Sequence, residues 1–488
     1  MTDQPKYENI DDERAIRLQK LTILEEQGIA PYQVISKRTH SIAEALALPV
    51  DSKVAIAGRM VSKRVVGKII FAAIQDASAG IQIIIKSDEI GADAFKLFLK
   101  MADIGDFVEA IGTRFLTQRE EQSVLVGEWK LLSKAVRPLP DKFHGLKDKE
   151  TRYRKRYLDL ITDREVFERF KVRSKIISYV REFLNGRDFV EVETPVLQTL
   201  YGGTNARPFT THINAYDMDM YLRVAPELYL KRLVVGGYEK VYEIGKNFRN
   251  EGADQTHNPE FTMIEWYEAY VDYQTMMDNA EAMYKFIAQK LFGAQTLPTD
   301  EGTIDISHAW PRITMQQAIL DFAKIDVVKL SDDELKKLCA ENGIENRGSA
   351  ARGQMIMDIF EKLVTEKLIT PTWIIDYPKE VSPLSRAHRD NPDLVERFEC
   401  YVNGKEIGDG WSEIIDPRVQ RARFENEQAS MRAGNEESHP MDEDFIEALE
   451  YGLPPLGGIG IGIDRLVMLY TNQKSIREVM FFPIMRPE

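Results

Sequence analysis

The chain has 488 residues, 43% of them hydrophobic and 29% charged, with a formal net charge of −14. That length exceeds one ordinary domain, the composition excludes a fibrous or disordered protein, and the acidity argues against one that coats nucleic acid. Two cysteines, Cys339 and Cys400, exclude a zinc framework or a disulfide scaffold; with no membrane-spanning apolar run and no signal-peptide core, a cytoplasmic protein with no membrane partner is expected.

Residues 1–50 are expected to form a helical extension. Ala15, Leu18, Leu21 and Leu24 recur at helical spacing, Gly28 suits a C-terminal cap, and Pro31 prevents continuation, which suggests an appendage packed on a partner surface. From 51 to 140 the period changes. "KVAIAGRMVSKR", "KIIFAAIQDA", "GIQIIIK", "DFVEAIGTRFL" and "SVLVGEWKLLS" are five β-rich runs, with the helical "GADAFKLFLKMAD" between the third and fourth. That order predicts an OB-fold, a small barrel that holds single-stranded nucleic acid. Residues 51–150 carry 16 Lys+Arg against 14 Asp+Glu, so the overall acidity lies elsewhere. Arg64, Phe71 and Gln82 offer charge, a stacking surface and base-edge hydrogen bonding; Phe71 as barrel core is an equally open alternative.

A connector follows at 141–160, stiffened beforehand by Pro138 and Pro140 and carrying Arg152, Arg154, Lys155 and Arg156 where an RNA strand would pass. Residues 161–488 mix helices with hairpin-linked strands, which predicts an α+β domain on an antiparallel or mixed sheet, with a helical insertion at about 310–375.

Two hairpins and a glycine run carry the chemistry. In "YEIGKNFRNE" (242–251) and "FTMIEWY" (261–267) alternation puts Glu243, Gly245, Asn247, Arg249 and Glu251 on one face with Phe261, Met263, Glu265 and Tyr267, provided the loop carrying His257 keeps the parity. A solvated face needs neither Phe261 nor Tyr267; a pocket for something flat, anionic and partly cationic uses both. In "RFECYVNGKEIGDGWSEIIDP" (397–417) a two-residue turn at Asn403-Gly404 pairs Tyr401 with Glu406 and Glu399 with Gly408. Glu399 and Glu406 then lie diagonally within reach of a common cation, and oxygen donors beside phosphates suit magnesium. Two exposed glutamates are the plain alternative. Gly408 and Gly410 around Asp409 suggest a bulge that re-aims Trp411 and Glu413. In "PPLGGIGIGIDRLVMLYTN" (454–472) alternating Gly and Ile describe a strand stripped on one face for close ligand approach, followed by a helix whose first turn holds Arg465 against the helix dipole, as a ligand would.

Together with "RPLPDKFHGL", "RYRKRYLDL", "RVAPELYLKRLVVGG", "EVSPLSR" and "ALEYGLPP", these stretches resemble the class II lysyl-tRNA synthetases of bacterial type from about residue 50 onward. "KVRSKIISYVREFLNGRDFVEVETPVL", to Pro195, is similar to motif 1, the first hairpin to motif 2 and the glycine strand with its helix to motif 3. The resemblance implies a six-stranded antiparallel catalytic sheet, a homodimer through motif 1, and partners ATP, lysine and tRNA(Lys). It implies that Arg64, Phe71, Gln82 and Glu128 contact the anticodon. Arg249 would neutralise the α-phosphate and act catalytically with Arg465; Glu251 would accept the adenine amino group, His257 would approach the outer phosphates, and Phe261 and Arg465 would sandwich the adenine. Glu399 and Glu406 would carry Mg2+. Gly203, Glu227, Glu265, Tyr267, Asp409, Trp411 and Glu413 would bind lysine. Two departures stand out, since Asp409 and Ile415 replace asparagines of the family pattern, and one carboxyl of the crowded set is expected to keep its proton. A paralogue for another basic or β-amino acid, or a non-catalytic RNA-binding relative, is the alternative; an aspartyl or asparaginyl enzyme would need basic residues where Glu227 and Glu413 stand.

Overall fold

Five strands close into a barrel in the first part of the chain, β1 (Lys53–Val66), β2 (Ile69–Gln75), β3 (Gly80–Lys86), β4 (Phe107–Leu116) and β5 (Gln122–Ser133), in the spatial order β1-β2-β3-β5-β4. The computed structural model describes residues 10–140, 146, 148–344, 351–382, 384–432 and 440–487, and divides into two units, Met1–Leu146 and Lys147–Glu488. Barrel closure follows from alternation: Ile70, Ala72 and Ile74 on β2 and Ile81, Ile83 and Ile85 on β3 fill the interior. The helix Ala92–Met101 crosses from β3 to β4 and adds Phe95 and Phe98 to that core. The helix Ile10–Glu26 packs on this barrel. Leu24 joins the barrel core, Arg17 donates to the carbonyls of Ile104 (2.9 Å) and Ala135 (3.0 Å), and Lys20 pairs with Asp103 at 2.6 Å.

Part of the expected connector, residues 141–145 and 147, lies outside the described residues, as do residues 345–350 of the expected insertion. Of the basic run, Arg152 pairs with Asp159 at 2.8 Å, and Arg156 is buried against the same carboxylate and the Arg477 carbonyl (2.7 Å). Both serve the fold; neither lies open to RNA.

The second unit is built on eight strands: β6 (Val190–Glu191), β7 (Lys240–Phe248), β8 (Glu260–Ala269), β9 (Arg312–Thr314), β10 (Thr372–Pro378), β11 (Leu394–Val402), β12 (Lys405–Ser412) and β13 (Leu456–Gly462). Their order is β9-β10-β11-β12-β13-β8-β7-β6. The six inner strands are antiparallel, and the short β6 and β9 run parallel to their neighbours at the edges. Strands β9 and β10 thus bracket the insertion and belong to the sheet, while its helices, Asp332–Glu341 and Arg352–Leu363, build a separate small core with Leu335, Ile359 and Phe360.

Alternation sorts the two faces of this sheet. Tyr242, Ile264, Trp266, Phe398, Cys400, Ile459 and Ile461 point to one side, where the helices Arg164–Asn185, Tyr273–Phe292 and Ile463–Tyr470 cover them with Val180, Phe183, Met276, Met283, Leu466 and Val467. The interleaved residues point to the other side. Polar groups and glycines collect there.

Candidate active site

A cavity of ≈ 380 Å³ opens over that polar face. Its lining includes Gly203, Glu227, Arg249, Glu251, His257, Phe261, Glu265, Tyr267, Glu399, Glu406, Asp409, Trp411 and Arg465; of the candidates in this unit only Glu413 lies just behind the wall.

The first hairpin keeps its parity, with Glu243 opposite Glu265, Asn247 opposite Phe261 and Gly245 opposite Met263. Glu243 nevertheless never reaches the cavity. Arg223, fully buried, lies over Gly245 where a side chain would clash, and holds Glu243 at 2.5 Å, with the Thr194 hydroxyl adding a bond of 2.6 Å. The chain leaves β7 at Phe248, and the Arg249 amide donates to the Pro259 carbonyl (2.9 Å), which closes the loop base. The Arg249 guanidinium then sits 5.1 Å from the centre of the Phe261 ring, with its Nε unpartnered. Burial lowers its pKa, against the charges of Glu251, Asp409 and Glu265.

The second hairpin departs from simple alternation. Val402 pairs with Lys405 and Tyr401 with Glu406, as the turn predicts, but Cys400 pairs with Gly408 and Glu399 with Asp409. The extra residue is Ile407, one position before the glycines expected to bulge, and its carbonyl accepts from the Tyr284 hydroxyl at 2.7 Å. Without the bulge it makes, Glu399 would face Gly408. With it Glu406, Asp409, Trp411 and Glu413 share one face although their numbers differ in parity.

Glu399 accepts from Arg397 and from the Tyr401 hydroxyl, both at 2.6 Å, and Asp409 lies 3.5 Å from Arg397. Glu406 accepts from Arg465 at 2.8 Å, and Arg465 Nη2 lies 3.2 Å from His257 Nε2. Arg465 is therefore held by Glu406 and His257, and Arg249 is the cation beside Phe261. Burial raises the pKa of Glu399, as does the neighbouring charge of Glu406; burial with Glu406 and Glu399 pushes Asp409 up to about 7 despite Arg397. Among the described residues no three metal-capable side chains converge.

At the other end of the cavity Glu227 begins the helix Glu227–Val235, and Lys231 follows one turn later. Lys231 is buried and bonds Glu227 at 2.5 Å and Glu413. Glu413 also accepts from the Trp411 indole (2.9 Å), leaving Oε1 unpartnered, and the Tyr267 hydroxyl donates to Glu265 at 2.9 Å. Burial drives Glu413 up to about 8, against Lys231, and drives Glu265 and Tyr267 well above their ordinary ranges. Two glycines make room. Gly203 has φ +95, and a Cβ there would lie 2.9 Å from Glu227 Cβ; one at Gly458 would strike Glu413 Oε1 and the Tyr267 ring.

In the barrel, Arg64, Phe71 and Gln82 line one groove. Phe71 alternates with buried Ile70 and Ala72 and is not core; the Arg64 guanidinium lies 5.2 Å from its ring centre, and Gln82 bonds Ser123 at 3.2 Å. Glu128 stands apart on β5, exposed and 3.8 Å from Lys37. Sequence reasoning missed Lys231, Arg397 and Arg223. Glu227 and Lys231 are spaced i, i+4, and Arg397 precedes Glu399 at strand period, so two of the three left a readable trace.

Residues 148–486 match the family model described as tRNA synthetases class II (D, K and N), and residues 54–132 match the OB-fold nucleic acid binding domain. The chain is 48% identical over 486 residues, 99% of each, to the "Lysine--tRNA ligase" of Carboxydothermus hydrogenoformans. It is 47% identical over 492 residues to that of Staphylococcus aureus, covering 98% of this chain and 99% of the relative. With the "Lysine--tRNA ligase 2" of Methanosarcina mazei identity is 48% over 479 residues, 97% and 94% of the two chains. From barrel to glycine strand, the chain belongs to the class II lysyl-tRNA synthetase family.

Proposed function

We propose that the chain attaches L-lysine to tRNA(Lys) in two steps at this cavity. The observation that carries it is the division of one cavity into a cationic, aromatic half (Arg249, Phe261, His257, Arg465) and a carboxylate half (Glu227, Glu265, Glu413). In the first step a lysine carboxylate oxygen attacks the α-phosphorus of ATP; the bond to the bridging oxygen breaks and pyrophosphate leaves with its electron pair. Arg249, with a free Nε, balances charge growing on the α-phosphate, Phe261 offers its face to adenine, and Glu251 accepts from the adenine amino group. His257 and Arg465 face the departing phosphates. In the second step the 3′-hydroxyl of the terminal adenosine attacks the carbonyl carbon of lysyl-adenylate, and AMP leaves. Positioning and preorganised charge supply the acceleration.

Glu399 and Glu406 fit Mg2+ by donor chemistry: both are hard oxygen ligands, and burial, with the charge of Glu406 added, raises Glu399. Bound there, Mg2+ would neutralise phosphate charge, its remaining ligands coming from phosphate and water. The substrate ammonium would lie against Glu227, Glu413 and the Tyr267 ring, with Gly203 and Trp411 shaping the space. A site with fixed acceptors rejects uncharged side chains, because its own groups would be left unpaired.

The barrel groove would take the anticodon, Phe71 stacking while Arg64 and Gln82 reach base edges; Glu128 would contribute from outside that groove. Half-exposed Val190, Val196, Leu197, Leu200 and Met218 along motif 1 and its ribbon suit a homodimer contact. Among the described residues no helix is long and apolar enough to cross a membrane, and a cytoplasmic site of action is proposed. Exchange of labelled pyrophosphate into ATP, run with each amino acid in turn, tests the reading. Lysine should stimulate it above all others, and a stronger response to another amino acid would overturn it.

A further inference from the structure

Lys231, at the carboxylate end, has no part in the reaction above. Its ammonium is fully buried, does not line the cavity, and bonds one oxygen of Glu227 and one of Glu413 from behind the wall. Burial works against that ammonium, but Glu227 and Glu413 outweigh it and raise its pKa. Each carboxylate keeps a second oxygen, and Glu413 Oε1 is buried, unpartnered and set against Gly458, which does line the cavity. Lys231, 5.9 Å from the Tyr267 ring centre, therefore holds the same two carboxylates from outside the cavity lining.

We propose that Lys231 is a positioning and specificity-determining residue: it fixes Glu227 and Glu413 from behind and leaves them one positive charge short, the charge that a lysine side chain brings. This rests on the lysine-activating reading. Once Glu413 is ionised, two carboxylates and one internal ammonium leave a deficit of one, whereas two buried carboxylates without that ammonium keep a shared proton more tightly and meet the substrate as a half-neutral pair. The other groups facing the pair are Tyr267 and Glu265 on β8 and the Trp411 indole on β12; β13 offers only glycines on this face. Glu265 bonds the Tyr267 hydroxyl, so Glu227 and Glu413 are the charges the ammonium meets.

The test compares the wild-type chain with Lys231→Met and Lys231→Arg in lysine-dependent pyrophosphate exchange from pH 6.5 to 8.5. Lys231→Met is expected to raise the lysine KM about tenfold or more at pH 7 with the ATP KM within about twofold, because one partner of a buried pair is lost. The alkaline pH at which the lysine KM levels off should move upward, since the pair, without the Lys231 charge, releases its proton at a higher pH than in the wild type. Lys231→Arg should return that limb to its wild-type position. Preference for lysine over its uncharged isostere 6-hydroxynorleucine should fall in Lys231→Met and recover in Lys231→Arg. An unmoved limb with both KM values raised together would mean that Lys231 only supports the fold, and the proposal is wrong; if Lys231→Met cannot be folded, a shifted limb in Lys231→Arg overturns it equally. Absence of lysine-dependent exchange in the wild-type chain would defeat the functional reading itself, and this inference with it.

Discussion

Gly458→Ala places one methyl group at the most crowded point of the amino-acid end. Its Cβ would strike Glu413 Oε1 and lie 2.5 and 2.8 Å from Tyr267 Cε1 and Cδ1, where ordinary contact begins near 3.4 Å. Neither neighbour can yield cheaply. Tyr267 stands directly across from Gly458 on β8 and is tied to Glu265, while Glu413 is tied to Lys231 and Trp411. Overpacking of this kind costs about 1–3 kcal/mol, which is roughly 5- to 150-fold in binding or rate. The same strand provides its own controls. A Cβ at Gly460 would first meet the flexible Met263 Cε at 3.1 Å, and one at Gly462 meets nothing closer than 3.8 Å. The lysine KM in pyrophosphate exchange should therefore rank Gly458→Ala far above Gly460→Ala, with Gly462→Ala close to wild type, and the ATP KM should move little in Gly458→Ala. Equal effects at 458 and 462 would refute the claim that space at Gly458 is what admits the substrate.

Arg249→Ala should lower adenylate formation by about 10²- to 10³-fold, the usual cost of one preorganised charge donor, measured as pre-steady-state adenylate. Phe71→Ala removes a stacking face worth about 1–3 kcal/mol per base; it should raise the tRNA KM in charging and leave pyrophosphate exchange untouched. Arg223→Met strands buried Glu243 and should cost about 3–5 kcal/mol in urea unfolding, while Glu399→Gln, on the cavity side, should lower pyrophosphate exchange. Because Glu413 is pushed up to about 8, the folded protein holds a proton that the unfolded chain loses near 4.5, so its contribution to stability falls as pH rises through that window. Lysine needs the carboxylate, so the wild-type lysine KM should fall as pH rises toward about 8; a flat profile would contradict this.

Periodicity carried much of this structure. The barrel with its helix after the third strand, the parity of the first hairpin, and the Ile/Gly division of β13 were all legible, because a period of two has only two phases and a buried face selects one. The fate of Glu243 was not legible, since Arg223 lies twenty residues upstream and only folding shows that it fills the space above Gly245. Nor was the position of the bulge: Gly408 and Gly410 announced an irregularity, yet the residue that supplies it is Ile407, held by a tyrosine from a helix more than a hundred residues earlier. Phe71 could be placed only once its neighbours were seen to fill the barrel. Partners distant in sequence leave no mark on local pattern.

The single surplus residue at 407 acts as a half-period offset in β12. In the proposed reaction the strand upstream of it would serve phosphate chemistry through Glu406, and the strand downstream would serve amino-acid choice through Trp411 and Glu413. Were Ile407 to take a paired place opposite Cys400, the downstream half would turn toward the helices while the upstream half stayed in place, so nucleotide and amino acid would no longer meet on a common floor. Joining the two substrates in that reaction thus depends on one unpaired residue of β12.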